Sequence, residues 1–479
     1  MDLNLRTFSS GKKRENNMFA KLLSQLIVFA VIAALTLAGT VPSFAAENTP
    51  AAEAPSVTGT SAILIDSGSG EILYRKNIDD RRDPASITKI LNCLIVLETM
   101  EMSQKITVPY NIEQIGHNID LKKGEILTVE QLLYAMMVYS ANDAAEVLAV
   151  AAGGSVENFC DMMNKRAEMC GAENTNFTNA NGLNTWGQEK HRTTAYDLAL
   201  IAKEAMKNKT FRKLVSTVTY TIPKTNKSTE RVLRSTNPCL YVKKKTIEID
   251  GIERPYKYRG MNGIKTGSTG TAGECFCGSA KRGNTEFIAV VLNAEDEYER
   301  FADVIKLLDY GFDNYRTYTA ASSKEVLDAV KIKRGDKAEA DLSIDEDMDI
   351  TLEKGYDKSD ITVKTTLNEE KITAPVKKGT VLGTIEAYDK KGNALAQAEL
   401  RSIENVNKGG PLSYIGIADE RIPLFVICLA VALIAFAAVR IAIRRAKYNR
   451  RMRRRAQRQR HIRKRERDKV KNPFDDFDI

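Results

Sequence analysis

Hydrophobic positions change their spacing several times along the chain, and each spacing predicts a type of element. Alternating apolar residues on both sides of a Gly/Ser turn in 61–77 predict two paired strands, and 276–292 predicts two more. Apolar residues at helical spacing predict helices over four segments: 87–100, 127–152, 197–206 and 299–312. Strands from both ends of this region therefore enclose a helical middle. We expect an α/β (α+β) fold with helices packed on an antiparallel sheet.

The pattern becomes shorter and more polar after about residue 318. Segments such as ITVKTTL, TVLGTIEAY and AQAELRSI have the composition of short strands, and YDKKGNA that of a hairpin turn. We therefore assign 59–318 to one domain and 319–410 to a separate small β-rich domain.

An uncharged apolar segment lies near each end of the chain. The first, 22–46, follows five Lys and Arg residues and ends in the small residues Ala45 and Ala46. These are the parts of a secretory signal peptide, so we assign 1–46 to a signal cleaved after one of these alanines. A retained membrane anchor is the alternative. The Ala/Pro/Glu-rich residues 47–58 are predicted to form a linker.

The second apolar segment, 422–439, contains 18 residues without charge. As a helix it would be about 27 Å long, close to the thickness of a bilayer's hydrocarbon core. A dense run of Lys and Arg follows at once, and such runs mark the cytoplasmic side of a span. We expect a juxtamembrane linker at 411–421, one transmembrane helix at 422–440, and a basic cytoplasmic tail at 441–479 that associates with membrane lipid. The body would then be extracytoplasmic.

Composition and charge narrow the possible functions. The content of 43% hydrophobic and 28% charged residues is ordinary for a folded protein and excludes a wholly disordered chain or a polytopic membrane protein. The net charge of +9 arises at the ends, because residues 440–479 carry +12 and 1–21 carry +3, which leaves −6 on 47–421. A mildly acidic body argues against nucleic-acid binding. Nucleic acid is not expected as a partner, although it stays a rival for the basic tail.

Six of the seven cysteines precede the predicted span and would be exported to a compartment where disulfides form. Their spacing matches no zinc pattern. We interpret most of them as small buried apolar residues, with a disulfide framework as the alternative. The six are Cys93, Cys160, Cys170, Cys239, Cys275 and Cys277.

The first candidate for chemistry is the tetrapeptide Ser86-Ile87-Thr88-Lys89 at the predicted start of a helix. Residues three apart on a helix share a face, so the Lys89 amine can reach the Ser86 hydroxyl. Serine is a poor nucleophile until an adjacent base takes its proton, and lysine can be that base if burial or a second cation lowers its pKa. Ser86 is therefore a candidate nucleophile and Lys89 a candidate base.

The second motif, Ser140-Ala141-Asn142, lies between two halves of a helical segment. Its hydroxyl could relay a proton, and its amide could hold Lys89 or a substrate carbonyl. By itself the motif is no more than a helix break, and it gains meaning only beside the others.

The third motif, Lys265-Thr266-Gly267, precedes a predicted strand. Lys265 can supply positive charge and, with Thr266, bind a substrate carboxylate. Gly267 would let an extended substrate approach the backbone closely. Each motif alone is more simply structural, but the three occur in order and in the expected contexts, and that combination is a strong signal of a shared site.

Together these motifs resemble those of the serine D-alanyl-D-alanine carboxypeptidases, the low-molecular-mass penicillin-binding proteins. The resemblance covers about 59–318, through DPASITKI, YSANDAAEVLA, NTNFTNANGLN, HRTTAYD and GIKTGSTGTAG. The segment APVKKGTVLGTIEAYDKKGNALAQAEL also resembles the family's C-terminal β domain. The resemblance implies a penicillin-binding/β-lactamase-like fold. One departure is the plausible true span, because family members usually end in an amphipathic helix that lies on the membrane.

The resemblance also implies roles for the matching catalytic residues. Ser86 would be the acylated nucleophile, Lys89 its general base, and Ser140 a proton relay. The implied reaction removes the terminal D-alanine from D-Ala-D-Ala stem peptides of cell-wall peptidoglycan through an acyl-serine. β-Lactam antibiotics would acylate the same serine as covalent inhibitors, and no metal or organic cofactor is needed.

The remaining motif residues would bind the substrate. The resemblance implies that Asn142 contacts a substrate amide, and that Lys265 and Thr266 bind the terminal carboxylate beside Gly267. The oxyanion hole would consist of the backbone N–H groups of the nucleophile and of Ser268, the residue after the third motif.

Two alternatives share the fold: an enzyme that hydrolyses β-lactams and a protein that senses them. The first needs a glutamate in an E-x-x-L-N pattern, and the nearest candidate, Glu173, has the wrong spacing. The second needs a signalling domain, for which the tail is too short. A His-based triad is also disfavoured, since we interpret His191 as a structural hydrogen-bonding residue.

Overall fold

The computed structural model describes residues 53–113, 115–183 and 190–470, without the side chains of 469 and 470. The predicted signal peptide, the first half of the predicted linker and the last nine residues of the tail lie outside these described residues. From Ala54 onwards the chain forms a single unit.

The first part of the described chain alternates between short strands and helices. Its strands are β1 (Ser61–Asp66), β2 (Ile72–Lys76), β3 (Lys105–Thr107), β4 (Ile126–Thr128), β5 (Thr219–Ile222), β6 (Arg231–Arg234), β7 (Thr246–Ile249), β8 (Ile252–Pro255), β9 (Met261–Thr269), β10 (Gly273–Arg282) and β11 (Thr285–Ala294). Its helices are α1 (Lys89–Thr99), α2 (Val129–Val138), α3 (Asn142–Gly153), α4 (Val156–Met169), α5 (Ala195–Lys207), α6 (Lys209–Ser216) and α7 (Glu297–Asn314), with 3₁₀ turns at Ala85–Thr88 and Pro238–Leu240.

A five-stranded sheet with the order β2-β1-β11-β10-β9 forms the centre of this part. All its pairings are antiparallel, and β1 from the start of the chain joins β11 from the end of the region. This confirms the expected antiparallel sheet with strands from both ends. The Lys265-Thr266-Gly267 motif precedes β10, the strand predicted after it, and itself lies in the edge strand β9, which was not predicted.

The sheet is buried on both faces because its strands are apolar at consecutive positions. Alternate residues of β11 join two different clusters, Ile288, Val290 and Leu292 in one and Phe287, Ala289 and Val291 in the other. The first cluster contains the apolar sides of α1 to α6, and the second contains that of α7. The nucleophile motif therefore starts a helix that is packed within the larger cluster.

The polar second part of the described chain forms β structure, as predicted. Its strands are β12 (Tyr315–Ala321), β13 (Asp328–Lys333), β14 (Glu339–Ser343), β15 (Met348–Glu353), β16 (Thr362–Leu367), β17 (Lys371–Thr373), β18 (Val381–Tyr388) and β19 (Ala394–Ser402). Six of them form a sheet with the order β16-β18-β19-β14-β13-β17, in which the predicted hairpin joins β18 to β19. β12 pairs with β15 and runs through positions 318 and 319, where the sequence places the domain boundary.

The C-terminal part is one long helix, α8 (Ile422–Val470). It contains a segment that is long and apolar enough to cross a membrane, and none of that segment is buried against protein. This makes α8 a candidate membrane anchor. The preceding residues, expected to be a linker, bond to the β-rich part, since Glu420 accepts from the backbone N–H of Ala338 at 2.9 Å.

The cysteines all lie in the described part of the chain and are unpaired there. Five of the six expected to be exported are buried, and Cys170 is half-buried. The interpretation of most of them as small apolar core residues is therefore confirmed.

Candidate active site

The 3₁₀ turn Ala85–Thr88 leads directly into α1 and carries the candidate nucleophile. Ser86 is half-buried in this turn, and Lys89 is the first residue of α1. The Lys89 Nζ donates a hydrogen bond to the Ser86 Oγ at 2.7 Å, so the predicted pair is in contact. The residue before the serine, Ala85, has a φ of +47°, a region that alanine rarely adopts. The turn that presents Ser86 is thus strained and must be held by its surroundings.

The Lys89 amine is completely buried and is saturated with acceptors. Besides Ser86, its Nζ donates to the Asn142 Oδ1 and to the Asn181 carbonyl oxygen, both at 2.7 Å. Burial, followed by the positive charge of Lys265, holds the pKa of Lys89 well below its usual value, while Asp143 opposes the shift. The lowered pKa favours the neutral amine, which is the form that a general base requires.

The second motif lies at the break between α2 and α3. Ser140 has a φ of +67° and follows the end of the first helix, and Asn142 begins the second. The Asn142 Nδ2 donates to the Ile115 carbonyl oxygen at 2.8 Å while its Oδ1 accepts from Lys89. The Nζ of Lys89 has hydrogen bonds to three other oxygens, and in the described part of the chain it has none to Ser140.

The residue after this motif fixes a neighbouring loop. The buried carboxylate of Asp143 accepts from the backbone N–H groups of Ile119 and Leu121 at 3.0 to 3.3 Å. Desolvation raises the pKa of Asp143, and these hydrogen bonds counteract the rise. The residues just after 115 are thereby tied to the helix that carries Asn142.

The third motif faces the nucleophile turn from β9. A Cβ added at Gly267 would lie 3.0 Å from the Ala85 Cβ and 3.1 Å from the Ser86 backbone nitrogen. The strand therefore passes so close to the turn that a side chain at this position would crowd it. This contact brings the first and third motifs together, although they are far apart in sequence.

Lys265 is buried, and its Nζ donates to the Thr266 carbonyl oxygen at 3.0 Å. Burial, followed by the charge of Arg300, lowers its pKa to about 7. The hydroxyl of Thr266 shares a hydrogen bond of 2.6 Å with that of Thr236, and the hydroxyl of Ser268 donates to Glu274 at 2.5 Å. The motif thus presents an amine and hydroxyl groups beside the nucleophile.

Arg300 of α7 was not predicted from the sequence. Its guanidinium donates to the Gly267 carbonyl oxygen at 3.3 Å, forms an ion pair with Glu274, and donates to Glu297 at 3.2 Å. It is almost fully buried behind β9. An arginine in a helix with an ordinary apolar pattern gives no sequence signal for such a position.

Comparison with known proteins identifies the family. The family described as D-alanyl-D-alanine carboxypeptidase matches residues 48–296, and the family described as the C-terminal domain of penicillin-binding protein 5 matches 315–408. The chain is 34% identical to the D-alanyl-D-alanine carboxypeptidase DacF of Bacillus subtilis over 362 residues, which are 74% of this chain and 87% of that protein. It is 32% identical to DacC of Escherichia coli, over 77% of this chain and 88% of that protein.

The fold gives the same result. Penicillin-binding protein 5 of Haemophilus influenzae is similar with a TM-score of 0.60 and 27% identity, over 74% of this chain and 99% of that one. The chain belongs to the D-alanyl-D-alanine carboxypeptidase family. The predicted family and fold are therefore confirmed.

Proposed function

We propose that this chain is a serine D-alanyl-D-alanine carboxypeptidase in which Ser86 is the nucleophile and Lys89 its base. The observation that carries this proposal is the contact of 2.7 Å between the buried Lys89 amine and the Ser86 hydroxyl. Because the pKa of Lys89 is lowered, the neutral amine can accept the hydroxyl proton as the oxygen attacks.

The reaction has two halves. The Ser86 oxygen attacks the carbonyl carbon of the penultimate D-alanine, its proton passes to Lys89, and the oxyanion binds the backbone N–H groups of Ser86 and Ser268. The C–N bond then breaks, and the leaving amine of D-alanine takes a proton by way of Ser140. In the second half a water molecule attacks the acyl ester and gives a proton to the lysine amine. The ester C–O bond then breaks, the lysine returns that proton to the Ser86 oxygen, and the shortened peptide leaves as a carboxylic acid.

Substrate binding is assigned to the second and third motifs. The terminal carboxylate would lie against Lys265 and Thr266, and the Asn142 amide would contact the peptide. An extended stem peptide would lie along β9, because this strand is an edge of the sheet. β-Lactams would occupy the same place and acylate the serine.

The alternative of β-lactam hydrolysis gains no support from the site. It needs a glutamate to activate the deacylating water, and Glu173, the nearest candidate, is exposed on the surface. We therefore retain peptidoglycan stem peptides as substrates and β-lactams as covalent inhibitors.

We also propose the membrane arrangement and domain division that the sequence suggests. A signal peptide at 1–46 would export the catalytic domain (59–318) and the β-rich domain (319–410). Residues 422–440 would cross the cell membrane once, and the basic residues 441–479 would lie against anionic lipid in the cytoplasm. The exposed apolar surface of α8 supports this arrangement.

Mass spectrometry of the purified protein provides the test. Incubation with penicillin should give an adduct on Ser86, and incubation with a D-Ala-D-Ala peptide should release D-alanine. Ser86→Ala should abolish both, whereas Ser359→Ala, at an exposed serine of the β-rich domain, should change neither. An adduct on any other residue would contradict the assignment.

A further inference from the structure

His191 is a fully buried residue that touches the back of the nucleophile turn. Its Nδ1 lies 3.0 Å from the backbone nitrogen of Thr178, and its Nε2 lies 2.9 Å from the Oγ1 of Thr88. Its ring also packs against that of Phe177, with the two centroids 5.2 Å apart. The imidazole therefore connects the segment around 178 with the turn that carries Ser86.

These contacts fix the tautomer of the ring. A backbone N–H can only donate, so Nδ1 of His191 must accept from Thr178, and the neutral ring then carries its proton on Nε2. This N–H donates to Thr88, whose own hydroxyl is left to donate to the Ala85 carbonyl oxygen at 2.8 Å. Burial lowers the pKa of His191 to about 4, with Arg192 adding to the shift and Asp83 opposing it, so the ring is neutral near pH 7. The result is a directed series of three hydrogen bonds that ends on Ala85.

The last hydrogen bond of this series ends on the peptide unit that joins Ala85 to the candidate nucleophile. The Ala85 carbonyl and the Ser86 N–H belong to one planar peptide unit, so fixing the direction of the oxygen also fixes the direction of the N–H on the opposite side. That unit follows an alanine at a φ of +47°, which needs support from its surroundings. In the proposed reaction the same N–H stabilises the oxyanion.

We propose that His191 is a positioning residue of the oxyanion hole, acting through the Thr88 hydroxyl on the peptide unit between Ala85 and Ser86. This inference rests on the proposed function of Ser86. The proposed role differs from a purely structural one, because it predicts that His191 helps to stabilise the transition state. An interaction that is realised only in the transition state changes kcat and leaves KM nearly unchanged.

The test uses Thr88, where shape and hydrogen bonding can be separated. Thr88→Val keeps the shape and removes the hydroxyl, whereas Thr88→Ser keeps the hydroxyl. We expect Thr88→Val to lower kcat for a D-Ala-D-Ala peptide about 10- to 100-fold, since loss of an oxyanion donor costs about 100- to 1000-fold and this change only misdirects one. KM should stay within about twofold of the original value, and Thr88→Ser should recover most of the rate.

Two further measurements separate positioning from packing. A boronic acid that forms a tetrahedral adduct with the serine should bind more weakly to Thr88→Val by the same factor as kcat falls. His191→Gln, whose amide nitrogen can replace Nε2 as donor, should retain more activity than His191→Leu. Thr351→Val removes an equally buried hydroxyl in the β-rich domain and should leave kcat unchanged.

The possible outcomes distinguish the inference from the proposed function. If the unmodified protein gives no penicillin adduct on Ser86, the proposed function fails. If that adduct forms but Thr88→Val keeps the original kcat, or raises KM alone, the positioning role of His191 is wrong. A loss of kcat that Thr88→Ser does not recover, or that only follows the unfolded fraction, also overturns it.

Discussion

Gly182 lies against the nucleophile turn so closely that it provides a quantitative test of the site. It has a φ of +84°, and a Cβ added there would lie 1.8 Å from the Ala85 carbonyl oxygen. Non-bonded heavy atoms are most stable at about 3.5 Å, so the loop or the turn would have to move by more than about 1 Å. We expect Gly182→Ala to displace the turn that presents Ser86.

Gly182→Ala should lower both the stability of the protein and its rate of acylation. An alanine in the left-handed region costs about 1–2 kcal/mol of stability. A displacement of about 1 Å at the reacting groups costs about 100-fold in rate. The first effect is on folding and the second is on acylation, so the two can be measured separately.

Gly251 provides a matched control. Its φ of +80° is almost the same, but a Cβ added there would meet no atom within 4 Å. Gly251→Ala should therefore lower the stability by a similar amount and leave the rate of acylation unchanged. The assays are thermal unfolding and the rate of reaction with a fluorescent penicillin. Our description of the turn would be refuted if folded Gly182→Ala protein were acylated at the original rate.

Three other predictions concern the lysines and the anchor. Lys89→Arg should abolish acylation, because guanidinium does not lose its proton. Lys265→Arg keeps a cation for the carboxylate and should retain partial activity. Equal losses in the two variants would show that Lys265 is more than an electrostatic anchor. The pKa of Lys265 is lowered to about 7, so its positive charge is lost as the pH rises through that value. The KM for a peptide with a free carboxylate should therefore rise above pH 7. A constant KM between pH 6 and about 9 would contradict this prediction. Removal of 441–479 should leave the protein active and membrane-bound, whereas truncation after Gly410 should release it from the membrane in active form. Fractionation of membranes checks both variants. Release of the variant that lacks only 441–479 would contradict a single span.

Elements with regular spacing were predictable from the sequence. The strands at each end of the catalytic region and the helices with apolar stripes are found at nearly the expected positions. The predicted helical segment 127–152 is indeed two helices that break at Ser140 and Ala141. α4 was not predicted, because only four of its 14 residues are buried and most of the others are polar. β9 was not predicted, because Lys265, Thr266 and Gly267 lack the alternation of a half-buried strand.

Contacts between distant segments were not predictable. The hydrogen bond from Lys89 to Asn142 follows from two motifs that the sequence identifies, but the one to the Asn181 carbonyl oxygen involves a backbone group, which leaves no signal. The hydrogen bond between His191 and Thr88 was not predictable either, because the two residues are far apart in sequence. A histidine in an ordinary polar segment does not reveal which turn it supports.

The electrostatics of the candidate base depend on such a distant contact. Burial and the charge of Lys265 lower the pKa of Lys89, and burial and the charge of Arg300 lower that of Lys265. Arg300 itself is held by Glu274, Glu297 and the Gly267 carbonyl oxygen. The charge of Arg300 on α7 therefore acts on Lys265 of β9, and the charge of Lys265 acts on Lys89 at the start of α1. Because Arg300 affects how far Lys265 is protonated, and the charge of Lys265 lowers the pKa of Lys89, the candidate base depends on the packing of a helix that carries none of the three motifs.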